Sequence, residues 1–434
     1  MILVYTHKIT PRLTYIFKHF FIRILHVPVS FTTTVDEFVA HNGPKMTYSK
    51  TSLGKEFFVR SHDLLYEQGV NDIDIALSKW DAVPCFFSAG KLSTIPFDIF
   101  AASFYLMSRY EEYLPFVQDE NERFPAAESL AFKHKFLEKP LIDIWAYKFL
   151  EFLKEKFPNY DFQERNFEFI STIDVDNVYA YKQKGVLRNF GGFFRDLFTL
   201  RFDTAIERLL VLLNFRKDPF DTFEALLEVS KKHKIKTIFF FLIGDYTTYD
   251  TNVSSSNTKY KSLIKSIADY VDVGLHPSYF TMKNPNKLKV EKKRLEAIVN
   301  KPILKSRQHF LRLKLPETYQ NLIDLDVVED YSMGYASHYG FRASTCTPFY
   351  FYDLDFEIQT PLKIFPFAVM DTTLNDYLNY VPAVAKSKIN QLKKEVQAVN
   401  GTFILLIHNE TLSENKRWKG WQKVYKDVVS QINK

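Results

Sequence analysis

Two carboxylates stand two residues apart at the end of a short apolar run, Phe169-Ile170-Ser171-Thr172-Ile173-Asp174-Val175-Asp176-Asn177. On an ideal strand, side chains at i and i+2 share one face, so Asp174 and Asp176 are expected to point the same way. Carboxylates this close do not both stay ionised comfortably without a cation, because each raises the other's pKa. A bound metal and an arginine would resolve the conflict. One carboxylate would then ligate, and the other would take a proton from an attacking water. The bland alternative is an acidic surface turn or a calcium-like loop. The apolar strand that delivers the pair favours the chemical reading.

Three later segments repeat the pattern of a polar residue at the end of a short apolar run. They are Gly274-Leu275-His276-Pro277, Ser306-Arg307-Gln308-His309-Phe310 and Leu405-Leu406-Ile407-His408-Asn409. His276 could offer an imidazole nitrogen to a divalent ion, zinc first and cobalt or nickel next. Arg307 and His309 alternate on what reads as a strand, so both can face one site. Arg307 could orient a carboxylate base through paired hydrogen bonds. For His309 the roles of ligand, substrate donor and buried core residue stay open. His408 has the near-neutral pKa that suits protonation of a leaving amine. Asp330, Asp371 and Arg342 also end or follow strand-like runs. Asp330 or Asp371 could hydrogen-bond His408 and set its tautomer. Arg342, Asp330, Asp371 and Tyr279, the last just after His276, could alternatively contact substrate.

These residues need a scaffold that brings strand ends together. The chain has 434 residues, 46% hydrophobic and 25% charged, which is an ordinary globular balance with room for two domains. A net charge of +6 is mild, and no finger, RNP-like motif or long basic run points to nucleic acid. Only Cys85 and Cys346 occur, so no disulfide framework is expected and a reducing compartment is the simplest reading. No apolar stretch reaches transmembrane length, and the opening Met1-Ile2-Leu3-Val4-Tyr5 is too short for a signal core. The chain is therefore read as soluble and cytoplasmic.

Residues 1–160 read as a smaller α/β domain whose role the sequence does not give. Thr10 and Pro11 open its first long helix as N-cap and N1. Tyr15 to Leu25 reads as amphipathic, with Lys18, His19 and Arg23 at helical spacing. The charges at Arg109, Glu111, Glu112, Asp119, Glu120 and Arg123 read as a solvated face. A linker is expected at Phe157-Pro158-Asn159-Tyr160-Asp161. From residue 165 to 434 strands and helices alternate, which predicts an irregular (β/α) barrel of about seven strands. The expected strands are Phe167–Ile173, Thr237–Leu242, Asp272–Leu275, Lys305–Phe310, Asp330–Tyr335, Lys363–Phe367 and Thr402–Ile407. A capping box of Asp221 and Glu224 is expected to open one helix. Residues 180–217 interrupt the rhythm with basic and aromatic residues. That composition suits peripheral contact with a membrane, grip on a polyanionic glycan, or a helical hairpin over the barrel rim; the hairpin is the expectation.

In order, the motifs resemble those of the polysaccharide deacetylase family (carbohydrate esterase family four). Thr172-Ile173-Asp174-Val175-Asp176 resembles the family's first motif, Gly274-Leu275-His276 its metal histidine, Ser306-Arg307-Gln308-His309-Phe310 its arginine motif, and Leu406-Ile407-His408-Asn409 its last. Lys236 to Leu242 resembles the second barrel strand. The resemblance covers roughly residues 165 to 434, and residues 1–160 are similar to a region found ahead of such barrels in some Bacteroidetes-type proteins. It implies Asp174 as base, Asp176 and His276 as metal ligands, Arg307 as orienting group and His408 as acid. The family's second metal His, four residues after the first, is replaced here by Phe280. His309 would then be the third ligand that zinc enzymes generally use.

The expected function is a metal-dependent hydrolase that removes N-acetyl groups from an amino sugar of a surface polysaccharide or its precursor. A non-catalytic glycan- or partner-binding protein on a degenerate barrel is the alternative. A glycosidase would need carboxylates from different strands, about 5–9.5 Å apart.

Overall fold

The computed structural model describes residues 1–432. A parallel sheet opens the chain, with β1 (Ile2–Tyr5), β2 (Val29–Thr32), β3 (Lys45–Ser49) and β4 (Phe57–Arg60) in the order β2-β1-β3-β4. A small antiparallel pair follows, β5 (Ser78–Trp80) with β6 (Val83–Cys85). Thr10 caps the helix Pro11–Phe17, accepting from Leu13 N at 3.1 Å, as the Thr-Pro pair predicts. The helix continues as a π-helical stretch, Lys18–Ile24, which turns His19 wholly into the core rather than onto a polar face. Burial drives the His19 pKa down to about 3, so it stays neutral there.

The second sheet holds the sequence motifs. Its strands are β7 (Glu168–Val175), β8 (Lys236–Leu242), β9 (Asp272–His276), β10 (Lys305–Ser306), β11 (Glu329–Asp330), β12 (Phe349–Asp353), β13 (Ile358–Ile364), β14 (Val369–Met370) and β15 (Thr402–His408). They run in the order β12-β13-β11-β10-β9-β8-β7-β15-β14, parallel except for the β12–β13 hairpin. Strand periodicity sorts the side chains. Ile170, Ile238, Phe240, Ile404 and Leu406 gather with Phe367 in an inner cluster. Their alternates Phe169, Ile173, Phe239, Phe241, Phe403 and Leu405 belong to the outer core that includes the helices. Strands from across the sheet thus share one interior, as in a curled sheet. No ladder joins β14 to the β11–β13 edge among the described residues. Two backbone bonds, Phe367 N to Met333 O at 3.2 Å and Gly340 N to Ala368 O at 2.8 Å, link the segments there.

Several expected elements are shorter. The Lys305–Phe310 strand stops at Ser306, and His309–Leu311 forms a 3-10 turn in which Phe310 and Leu311 take positive φ of 58° and 53°. Arg307 and His309 therefore do not alternate along one regular strand. The strand expected over Asp330–Tyr335 is confined to Glu329–Asp330. The helix Phe223–His233 starts without a side-chain cap, so the Asp221–Glu224 capping box does not form. Residues 180–217 do fold largely into a hairpin, Val186–Phe198 and Phe202–Leu212.

Gly274 has a packing reason. A Cβ there would lie 2.5 Å from the Phe240 ring and 3.0 Å from Lys305 O. Gly274→Ala is accordingly expected to cost about 1–3 kcal/mol by overpacking, read as a lower urea midpoint. An unchanged midpoint would mean that Phe240 does not press on β9.

Candidate functional site

The register carries the chemistry to one place. His408 lies beside Asp174 across the β15–β7 ladder, and Leu242 lies beside His276 across β8–β9. Thr172 and Asp174 follow Ile170 on the inner face of β7, and His408 follows Ile404 and Leu406 on that of β15. The strand ends converge on a cavity of about 190 Å³ that includes Asp174, Asp176, His276, His309 and His408 in its lining. A second cavity of about 220 Å³ shares Asp176, His309 and His408 and adds Tyr249, Glu410 and Arg417. A larger space of about 1210 Å³ opens at the other ends of the strands, beside Lys236 and Asp272, and holds no comparable cluster.

Asp176 is the hub. Its Oδ1 is 3.0 Å from His276 Nε2, and its Oδ2 is 3.6 Å from His309 Nε2 and 3.5 Å from His408 Nε2. His276 Nδ1 sits 2.5 Å from the Arg307 carbonyl oxygen. A carbonyl can only accept, so Nδ1 carries a proton, and in the tautomer a metal ligand needs the Nε2 lone pair faces the carboxylate. Two acceptors then confront each other, and Asp176 Oδ1 is buried without a hydrogen-bond partner. Such an arrangement calls for a cation between them.

Each of the other histidines is backed by its own carboxylate. His309 Nδ1 is 2.9 Å from Asp250 Oδ1, and His408 Nδ1 is 2.8 Å from Asp371 Oδ1. Asp371 is itself held by His408 N at 2.7 Å and by Thr411 Oγ1. Burial alone would lower both imidazoles. The charge and hydrogen bonds of Asp176 and Asp250 instead raise His309 to about 9, and Asp371 with Asp176 raises His408 to about 10. Burial would likewise raise Asp176, but His309 and His408 hold it well below the carboxylate range.

Arg307 is fully buried between the Phe240 and Phe367 rings, and burial lowers its pKa against the pull of Asp174. One amine donates to Thr172 Oγ1 at 2.8 Å, while Nε stands 3.8 Å from Asp174 Oδ1. Both of those facing atoms lack other partners.

Asp176, His276 and His309 each present one ligand atom, all within 4.8 Å of one another. Asp176 meets His276 through Oδ1 and His309 through Oδ2, and one carboxylate with two imidazoles is a ligand set that zinc takes. Phe280, at the position where a second family histidine was expected, is partly exposed and packs near the Tyr249 and Tyr279 rings instead.

Three expected substrate contacts lie elsewhere. Arg342 is buried and paired with Glu112 through bonds of 2.9 Å and 2.6 Å, and it lines neither cavity. Asp330 is buried, accepts from Ser332 N and Oγ at 2.8 Å and 2.9 Å, and is pushed up to about 6 by burial. Tyr279 stacks behind Tyr249 at 3.8 Å between ring centroids and donates to Asn121. Asp371 serves His408 rather than the cavity. The charged run at 109–123 is also not a solvated face: Arg109, Glu112 and Arg123 are buried. Arg123 lines the same cavity as Asp174 and donates to Phe310 O at 2.7 Å.

Asp250, Arg123 and Tyr249 were not legible beforehand. Asp250 sits in an irregular loop after β8 with no motif around it.

Comparison with known proteins adds little. Residues 2–158 match a family model described as a family of unknown function (DUF7033). No curated protein matches the chain. Among solved structures, a candidate polysaccharide deacetylase from Mycobacterium smegmatis aligns at a TM-score of 0.40 with 12% identity, covering 63% of this chain and 86% of that one. A CE4 family pseudoenzyme from Bacillus anthracis aligns at 0.29 with 13% identity, covering 60% and 62%. The polysaccharide deacetylase Bc1974 from Bacillus cereus aligns at 0.27 with 14% identity, covering 48% and 82%. These are partial likenesses at low identity and carry no activity over to this chain.

The His408–Asp371 contact is testable by titration. In metal-free protein, Asp371→Asn should lower the His408 midpoint by about 1–3 units from the loss of a neighbouring charge, followed by NMR. The contact stabilises the fold fully below the unfolded imidazole value of roughly 6.5. That contribution is lost as pH rises through about 10. A midpoint unmoved in Asp371→Asn would contradict this pairing.

Proposed function

We propose that the chain is a metal-dependent hydrolase that removes an N-acetyl group from an amino sugar of a polysaccharide or its precursor. The observation that supports it best is the meeting of Asp174, Asp176, His276, His309 and His408 around one cavity, with Arg307 beside Asp174. The substrate class rests on the order of the sequence motifs.

Asp176, His276 and His309 would hold the ion. When bound, a divalent cation there supplies Lewis-acid polarisation of the substrate carbonyl. Asp174 takes the proton of the attacking water, with Arg307 at 3.8 Å fixing its direction. The C–N bond of the amide then breaks, and His408 gives its proton to the departing amine. Asp371 keeps His408 protonated until that moment and aims Nε2 into the cavity. Tyr249, partly exposed on the wall of the second cavity, offers a ring face against which a sugar can lie.

Phe280 favours one second reading, a glycan-binding protein whose barrel has lost the metal. The two part on acetate release from N-acetylated oligosaccharides after addition of zinc, cobalt or nickel. The proposal expects turnover, with Asp174→Asn losing about 10²–10⁴-fold in kcat as a lost general base while still binding metal. Binding of the oligosaccharide without acetate release under any metal would establish the second reading.

Metal uptake should also depend on pH. His309 must shed its proton to ligate, and its pKa is raised to about 9. Apparent zinc affinity should therefore rise by roughly tenfold per pH unit up to that value, measured by competition with a chelator. A flat profile between neutral pH and 9 would remove His309 from the ligand set.

A further inference from the structure

The helical hairpin that follows β7 has its polarity reversed. In the first helix Val186, Phe190, Phe194 and Phe198 recur at four-residue spacing and are 84%, 62%, 40% and 84% exposed. Phe202 and Ile206 begin the same pattern in the second, at 53% and 56%. The buried side carries polar groups instead. Arg208 donates to Asp196 Oδ2 at 2.6 Å and to Asn189 Oδ1 at 3.3 Å. Asn189 in turn donates to Tyr181 O at 2.9 Å.

The reversal has a physical meaning. Single exposed apolar residues are ordinary, but a continuous stripe on two paired helices is not. The stripes adjoin an apolar groove of about 630 Å³, lined by Phe190 and Phe193 from one helix and Leu209 and Leu212 from the other. On and beside these helices Arg188, Arg195, Arg201 and Arg216 are exposed, against Asp203 as the exposed acid of the segment. Apolar faces flanked by cations complement an anionic lipid surface, where side chains enter the acyl boundary and the cations meet headgroups.

The hairpin is also placed beside the cleft. Lys184 Nζ donates to Asn177 Oδ1 at 3.1 Å, and Asn177 lines the cavity next to Asp176. Asn415 Nδ2 donates to Glu207 at 3.1 Å, two residues before Arg417 on the same cavity wall. Among the described residues no helix is long and apolar enough to cross a membrane, so the contact would be peripheral.

We propose that this hairpin docks the protein on an anionic lipid bilayer, with its apolar stripes inserted and the cleft mouth held near the surface. The inference stands on the hairpin alone and does not depend on the deacetylase reading.

The test is co-sedimentation of the full chain with vesicles of phosphatidylcholine alone or mixed with phosphatidylglycerol. The wild type should sediment with the anionic vesicles, less with the neutral ones, and less again as salt is raised. Phe190→Ser with Phe198→Ser and Phe202→Ser should abolish sedimentation. Arg201→Glu with Arg216→Glu should weaken it at least about fivefold, since each surface cation contributes about that factor. The altered side chains are exposed, so the thermal midpoint should hold; should the serine variant unfold, the charge pair still decides. No sedimentation of the wild type with anionic vesicles at low salt would overturn the proposal. So would a self-associated wild type that the serine variant converts to monomer without any vesicle binding.

Discussion

One carboxylate facing three imidazole nitrogens is the constraint around which the C-terminal half is arranged. Asp176 stands 3.0, 3.5 and 3.6 Å from His276, His408 and His309. Titratable groups packed this closely are tolerable only when their charges and hydrogen bonds are balanced. The surrounding elements supply the balance: Asp250 behind His309, Asp371 behind His408, and the Arg307 carbonyl behind His276. Those backing groups come from three separate places, the loop after β8 and the residues just past β10 and β14, so the geometry depends on how the strand ends and their following segments meet.

The N-terminal half takes part in this arrangement. Arg123 reaches the cavity wall, Arg12 pairs with Glu357, and Glu112 neutralises Arg342 in a contact buried from water. Burial raises the cost of leaving any of these charges alone, so each acts as a constraint between the two halves. Glu112 is held below its usual range by Arg342 and Arg109 despite the opposing effect of burial.

What could be read from the sequence follows from periodicity. Asp174 and His408 were legible because strands alternate, and an inward Ile170 or Leu406 fixes the direction of the polar residue that follows. Arg307 and His309 reached the site for a different reason than the expected strand. A tight turn with positive φ at Phe310, rather than alternation, carries the chain around His309. The charged run at 109–123 was misread because its partners are distant: Arg342 lies 230 residues from Glu112, and local composition cannot reveal such a pair. Asp250 left no signal because a loop aspartate gains its meaning only from the imidazole it meets. The hairpin at 186–212 was legible as helices, yet its reversed polarity emerged only once the fold fixed which side is buried.

On the proposed function, His309 completes a metal site that His276 and Asp176 alone would leave short of ligands. X-ray absorption on the zinc-loaded protein tests it most directly, because the outer-shell scattering counts imidazole rings around the ion. Two imidazoles and a carboxylate oxygen in the wild type, reduced to one imidazole in His309→Ala, is the predicted result. A wild-type spectrum with a single imidazole, or one that His309→Ala leaves unchanged, would contradict it.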